Sequence, residues 1–260
     1  MIKHIFCDLD GTLYHNGIND EDAKAIKEIE LKGVRFNIAT GRIFTQADKM
    51  TKDKLTINGY YICENGSYIH DKDHSIIFKG TIDDKIVKKV LNRFESTNSH
   101  LYFKYNRKIV LLEEVEDLED YGNEYIIDKN FINRDSFNND IGNIGVRSED
   151  VEELSRIELY LNNEFSEILD IYFSSEHTLN IVPKGVSKRS AIEYTCNILG
   201  VSLDEIATIG DSPNDINMLE GVKYSFAMSN ARESVKSSAN YIANSVKDAI
   251  EQINKINGVE

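Results

Sequence analysis

The sequence predicts an α/β protein built on a doubly wound parallel sheet, with an α+β domain inserted into it. Three observations predict this. Apolar runs of strand length alternate with helical periodicities up to about residue 82, and the same alternation resumes after Pro183. Between them, from about 83 to 182, strand-like runs follow one another directly with helices alongside. The expected organisation is a core from residues 1–82 and 184–260 carrying a second domain at 83–183. A chain of 260 residues is long enough for either one domain or two.

Taken in order, Lys3 to Leu9 is a short apolar run ended by Gly11, as expected of a strand buried on both faces. Asn19 caps a helix with Asp22 in its first turn, and Ala23, Ile26, Ile29 and Leu31 carry the period to Gly33. Val34 to Ala39 is a second strand, and a helical crossover makes it parallel to the first. Ile43 to Lys54 reads as a helix and Tyr60 to Glu64 as a strand. Asn65-Gly66 is a hairpin signal before Tyr68, His70 and the run Ile76 to Phe78, and this turn reading is preferred over a substrate contact.

The inserted region has an amphipathic helix at Ile82 to Phe94 and strands at Leu101 to Tyr105 and Lys108 to Leu112. An acidic run from Glu113 to Asp120 reads as a solvated face. Lys129 to Gly142, rich in Asn and Asp, reads as a loop. Then come a strand at Ile144 to Val146, a helix at Val151 to Leu161, and paired strands at Leu169 to Phe173 and Thr178 to Val182. Beyond Pro183 the pattern is a helix at Ser187 to Leu199 ended by Gly200, a strand at Glu205 to Gly210, and a helix opened by Pro213. Tyr224 to Met228, Ala231 to Ser238, Tyr241 to Ala243 and Val246 to Ile256 complete the sheet and its helices.

Composition narrows the function. Hydrophobic residues make up 41% and charged residues 28%, the balance of a globular chain. No apolar run reaches the roughly 18 residues of a membrane span, and the N-terminus lacks the pattern of a signal peptide, so a cytoplasmic location is expected. A net charge of -14 argues against nucleic acid or an anionic membrane as partner. No protein partner is expected, and an anionic substrate would need a local positive site. Cys7, Cys63 and Cys196 are far apart and form no CxxC pair, so they are expected to be small buried hydrophobes.

The chemistry gathers at strand ends. On an extended chain Asp8 and Asp10 share one face, and two like charges so close need a cation or a shared proton. Read alone, the stretch fits a surface turn as well as a site. Ligands in open parallel sheets collect at the carboxyl ends of the strands, which brings Thr40 of Thr40-Gly41-Arg42 near the two aspartates. Asp211, Asn214 and Asp215 follow another strand. They fit either helix caps or, with Asp8 and Asp10, the oxygen ligand set of magnesium. Lys184 and Lys188 stand at a helix start, where the dipole disfavours a cation; for Lys184 surface solvation is the preferred reading.

DLDGTL at 8–13, ATGR at 39–42, the lysine of KGVSKRSA at 184–191 and GDSPNDINML at 210–219 resemble, in order, the four motifs of the haloacid dehalogenase superfamily of phosphatases. The long insert and AMSNA at 227–231 resemble its Cof-type subfamily, in which a large α/β cap is inserted into a Rossmann-like core. The resemblance implies Asp8 as nucleophile forming an aspartyl phosphate and Asp10 as acid and then base. It implies Mg2+ held by Asp8, the Asp10 carbonyl and Asp211, with Asp215 supporting it from behind. The phosphate would be bound by the Leu9 and Gly41 N–H groups, Thr40, Lys188 and Asn214. Arg42 is expected to be structural. The pattern departs at Arg189, where a small residue is usual, and at Ser229, where glycine is usual. Tyr14 could face substrate, and His15 reads as an exposed loop residue.

The expected activity is magnesium-dependent hydrolysis of a small phosphorylated metabolite, with a sugar phosphate as the favoured class. Two alternatives use similar residues: a phosphomutase of the same superfamily, and a phospho-accepting receiver module. A receiver lacks the insert and carries its acceptor aspartate on a later strand.

Overall fold

The computed structural model describes residues 1–93, 99–114 and 124–258. They fall into two compact units, one of Met1–Phe78 with Ser187–Glu260 and the other of Lys79–Val186.

The first unit is built on strands β1 (His4–Cys7), β2 (Arg35–Ala39), β3 (Tyr61–Cys63), β4 (Tyr68–His70) and β5 (Ile76–Lys79). After the insertion come β12 (Ile206–Gly210), β13 (Tyr224–Met228) and β14 (Tyr241–Ala243). Their order across the sheet is β14-β13-β12-β1-β2-β3-β4-β5. β1 lies between β12 and β2, parallel to both, with Cys7 opposite Ile209 on one side and Ile38 on the other. Alternation along β1 sends Ile5 and Cys7 into one core and Phe6 into another, as a strand covered on both faces requires. Helices α1 (Asp20–Leu31) and α8 (Val246–Asn257) supply Ile26, Ile29, Ile250 and Ile253 to the first core. Helix α5 (Lys188–Leu199) supplies Ala191, Ile192 and Cys196 to the second. The doubly wound sheet is therefore as expected.

Local signals place these helices. The Asn19 side chain accepts from the Glu21 N–H at 2.8 Å, and Ser187 forms a capping box with Ser190. Helix α2 (Phe44–Thr51) is shorter than expected, and α7 (Glu233–Lys236) much shorter. Pro213 opens a 3-10 turn, Pro213–Asp215, that leads into α6 (Ile216–Leu219). Cys7, Cys63 and Cys196 are buried, and none of the three forms a disulfide.

The second unit has a six-stranded sheet in the order β10-β11-β9-β6-β7-β8. The strands are β6 (His100–Tyr105), β7 (Lys108–Leu111), β8 (Tyr125–Ile127), β9 (Ile141–Arg147), β10 (Leu169–Ser175) and β11 (Thr178–Pro183). Pairing is antiparallel apart from β7 with β8. Phe103, Ile144 and Ile181 on one face pack with Val87 and Val90 of α3 (Asp84–Arg93) and Leu154 and Leu161 of α4 (Val151–Phe165). This is the expected α+β arrangement.

The stretch expected as a loop at 129–142 carries more order than its composition suggests. Phe131 and Phe137 are fully buried in the core of this unit. The Asp84 carboxylate accepts from the Ser136 hydroxyl and the Phe137 and Asn139 N–H groups. Strand β8 carried no recognised signal. Of the acidic run, residues 115–120 lie outside the described residues, as does Phe94. Among the described residues no helix is long and apolar enough to cross a membrane.

Candidate active site

The carboxyl edge of the first unit's sheet gathers the residues. The chain leaves β1 at Cys7, two residues earlier than periodicity suggests, because the Leu9 carbonyl accepts from the N–H groups of Leu13 at 3.0 Å and Tyr14 at 2.7 Å. This turn keeps Leu9 in the core and separates the two aspartates. Asp8 stays tied to the sheet, its N–H donating to the Ile209 carbonyl at 2.9 Å, and is buried. The Asp10 carboxylate turns to Arg42, whose Nε and Nη2 each donate to one of its oxygens at 2.9 Å.

Lys188 begins α5 and is fully buried, with its Nζ donating at 2.6 Å to Asp8 Oδ1 and at 2.6 Å to Asp215 Oδ1. Burial alone would loosen its proton, but the two carboxylates outweigh burial and hold it above the usual lysine range. Burial, and then the charge of Asp215, push the Asp8 carboxyl well up, with Lys188 opposing them. Lys184, by contrast, is exposed and pairs with Asp170 at 2.8 Å, as its surface reading expects.

Asp211 and Asp215 are held by their own loop. The Asp215 Oδ2 accepts from the Asp211 and Ser212 N–H groups at 3.0 and 2.9 Å. Asp211 Oδ1 accepts from the Thr12 hydroxyl at 2.6 Å and its Oδ2 from the Ser212 hydroxyl at 3.1 Å. Burial raises the Asp211 carboxyl, with the Thr12 hydrogen bond opposing it. Gly11 fits against this carboxylate: its φ is +80°, and a Cβ there would stand 2.5 Å from Asp211 Oδ2. Ligand atoms from Asp8, Asp211 and Asp215 all lie within 4.8 Å of one another. Three carboxylates facing one ammonium leave an excess of negative charge, and an all-oxygen donor set suits a hard divalent cation such as Mg2+. The residues present fit that ion.

Thr40 is fully buried, its N–H bonded to the Ile62 carbonyl at 2.8 Å and its hydroxyl accepting from the Arg42 N–H at 3.1 Å. Asn214 and Gly41 meet at a residue for which the sequence reading preferred a turn over a contact at the site. Asn65 is buried with φ +59°, its Oδ1 accepts from Asn214 Nδ2 at 2.9 Å, and a Cβ on Gly41 would lie 3.2 Å from that same oxygen. The hairpin expected at Asn65-Gly66 is present, since β3 and β4 pair antiparallel. Thr12, Ser212 and Asn65 are the polar neighbours that motif reading missed. An asparagine in a turn signals the left-handed backbone and hides its side chain's second use. His15 is exposed, as expected, with Nε2 3.2 Å from the Thr12 carbonyl oxygen.

A sequence profile of the haloacid dehalogenase-like hydrolases matches residues 5–252. The chain belongs to this family. This hydrolase is 29% identical over 252 residues to the 5-amino-6-(5-phospho-D-ribitylamino)uracil phosphatase YcsE of Bacillus subtilis, covering 96% of this chain and 93% of YcsE. It is 27% identical to the phosphatase YwpJ of the same organism, over 93% of this chain and 94% of YwpJ. A haloacid dehalogenase-like hydrolase of B. subtilis has the same fold, with a TM-score of 0.86 and 26% identity over 97% of this chain and 100% of the other. Family and relatives together make this hydrolase an enzyme of the phosphatase class.

Proposed function

We propose that the protein is a cytoplasmic, magnesium-dependent phosphatase that hydrolyses small phosphate monoesters, sugar or polyol phosphates among them, through an aspartyl phosphate on Asp8. The observation that carries this reading is the buried Asp8–Lys188–Asp215 chain at the sheet's carboxyl edge, with Asp211 beside it. A carboxylate desolvated and pinned at one oxygen is a preorganised nucleophile. Lys188 has three N–H donors, two of them engaged with carboxylates, which leaves one for a phosphate oxygen. The Leu9 and Gly41 N–H groups, Thr40 and Asn214 complete the proposed phosphate cradle.

In the proposed first step an Asp8 oxygen attacks phosphorus. The bond to the alcohol oxygen breaks, its electron pair stays on that oxygen, and the Asp10 carboxyl supplies the proton. In the second step a water oxygen attacks the phosphorus and gives its proton to the Asp10 carboxylate. The Asp8–phosphorus bond breaks, its electrons return to the carboxylate, and phosphate is released. Mg2+, held by Asp8, the Asp10 carbonyl and Asp211, would offset the charge between nucleophile and phosphate. Asp215, already accepting from Lys188 and two backbone N–H groups, supports this arrangement from behind. The insert at 83–183 is assigned the selection of substrate. The polyol phosphate class is supported by the phosphoribityl compound for which YcsE is named.

The test is phosphate release from a panel of sugar, polyol, nucleotide and cofactor phosphates, with magnesium and with chelator. Asp8→Asn should abolish the release; magnesium-dependent turnover by that variant would remove Asp8 as nucleophile. Isomerised substrate without free phosphate would instead identify a mutase.

A further inference from the structure

Arg42 is a charged residue of this edge to which the proposed chemistry gives no role. Its guanidinium meets Asp10 as a two-toothed fork, Nε to Oδ2 and Nη2 to Oδ1, both at 2.9 Å. We propose that Arg42 is a positioning residue that fixes the Asp10 carboxylate for its proton transfers; this rests on the acid and base role proposed above for Asp10.

Three observations carry it. The side chains are partly exposed, 30% for Arg42 and 44% for Asp10, and a single-contact pair in that setting would swing and contribute little. Two parallel N–H···O bonds instead fix the plane of the carboxylate as well as its position. The stem of Arg42 also starts from an anchored backbone. Its N–H donates to the Thr40 hydroxyl at 3.1 Å, its carbonyl accepts from the Glu64 N–H at 2.9 Å, and the Asn65 N–H donates to the Thr40 carbonyl at 3.0 Å. The fork is thus tied to the floor of the phosphate cradle. Finally, the Lys188 ammonium is already shared by Asp8 and Asp215, so the two aspartates of the first motif are served by different cations.

The geometry suits the chemistry. A carboxylate offers about four lone-pair directions, and the fork occupies one on each oxygen, leaving the others for a proton. Without the fork the side chain would rotate about its own torsions, and a proton donor displaced by about 1 Å loses on the order of 100-fold in rate. Lysine cannot replace the fork, because an ammonium makes a point contact with no defined plane.

The test compares wild type with Arg42→Ala, Arg42→Lys, Asp10→Ala and the double variant Asp10→Ala/Arg42→Ala. Each is assayed on an alkyl phosphate and on 4-nitrophenyl phosphate, with circular dichroism to check folding. Arg42→Ala should lower kcat on the alkyl ester by about 100-fold with KM within about three-fold, since only placement of the proton donor is lost. The loss should be smaller on the aryl ester, whose leaving oxygen needs no proton. Arg42→Lys should recover part of the rate, and the double variant should be no slower than Asp10→Ala.

Unchanged kcat in Arg42→Ala, or a tenfold rise in KM with kcat kept, overturns the inference; the second result would make Arg42 a substrate contact. Losses that multiply in the double variant overturn it as well. Should Arg42→Ala not fold, Arg42→Lys decides: wild-type kcat overturns the positioning role, and an intermediate kcat with unchanged KM supports it. An Asp10→Ala variant as active as wild type would instead overturn the acid/base assignment itself.

Discussion

Replacing Lys188 by methionine keeps the length of the side chain and removes its charge, which isolates the ammonium at the centre of the site. Lys188 has no exposed surface and donates at 2.6 Å to each of two carboxylates, Asp8 and Asp215. Removing one partner of a buried ion pair costs about 3–5 kcal/mol, because the remaining charge is left buried and unpaired. In chelator at pH 7.5 the variant should therefore unfold at lower urea. With a slope of about 3 kcal/mol/M, the midpoint falls by at least about 1 M.

The pH dependence has a definite sign. Burial and the charge of Asp215 already raise the Asp8 carboxyl, and Lys188 is a group that lowers it, so its loss raises Asp8 further. A carboxyl raised in the folded state holds its proton more tightly there than in the unfolded chain, whose value is about 3.9. Its stabilising contribution is complete below that value and is lost as pH rises through the folded value. The deficit of Lys188→Met should accordingly be smaller near pH 4.5, where the Asp8 share of it is lost, and widen toward pH 7.5, while the share owed to the contact with Asp215 remains at both. Urea titrations of both proteins at the two pH values measure it. Equal deficits at both, or a loss below about 1 kcal/mol at pH 7.5, would refute the account of Lys188 as the neutralising charge.

Thr12→Val removes a 2.6 Å hydrogen bond to Asp211 and should raise the magnesium concentration needed for half-maximal activity. A bond to a charged group is worth about 1.5–3 kcal/mol, so a shift of about ten-fold is expected in a magnesium titration. Gly11→Ala would place a Cβ 2.5 Å from Asp211 Oδ2 at a backbone φ of +80°; it should lower stability by more than about 1 kcal/mol and remove most activity, measured by thermal unfolding and phosphate release. All three cysteines are buried, and burial pushes the Cys7 thiol well up and Cys196 to about 11, so a thiol reagent at pH 8 should label none of them quickly until the protein is unfolded.

The doubly wound sheet was legible because its signals are local and repeated: Ile5, Phe6 and Cys7 are apolar in succession, and a strand reads that way when both of its faces are covered. The identities at the edge were legible too, since Asp8, Thr40, Lys188 and Asp211 follow strand ends or open a helix. What periodicity could not supply was which cation serves which carboxylate. Asp8 and Asp10 are two residues apart and would share a face on an extended chain, but backbone bonds to the Leu9 carbonyl turn the chain between them. Asp8 then meets Lys188, 180 positions away in sequence, and Asp10 meets Arg42, 32 positions away. Both partners depend on strand order, β12-β1-β2-β3, which long-range pairing decides. Asn65 was set aside for another reason: its left-handed backbone satisfies the turn signal completely, so the turn was preferred over a contact at the site, and the bond from Asn214 has no counterpart in local sequence. The physical consequence is a division of charge. A buried ammonium fixes the aspartate proposed to attack, while a partly exposed guanidinium fixes the one proposed to move protons, so the repulsion expected between two neighbouring carboxylates is relieved at two separate places.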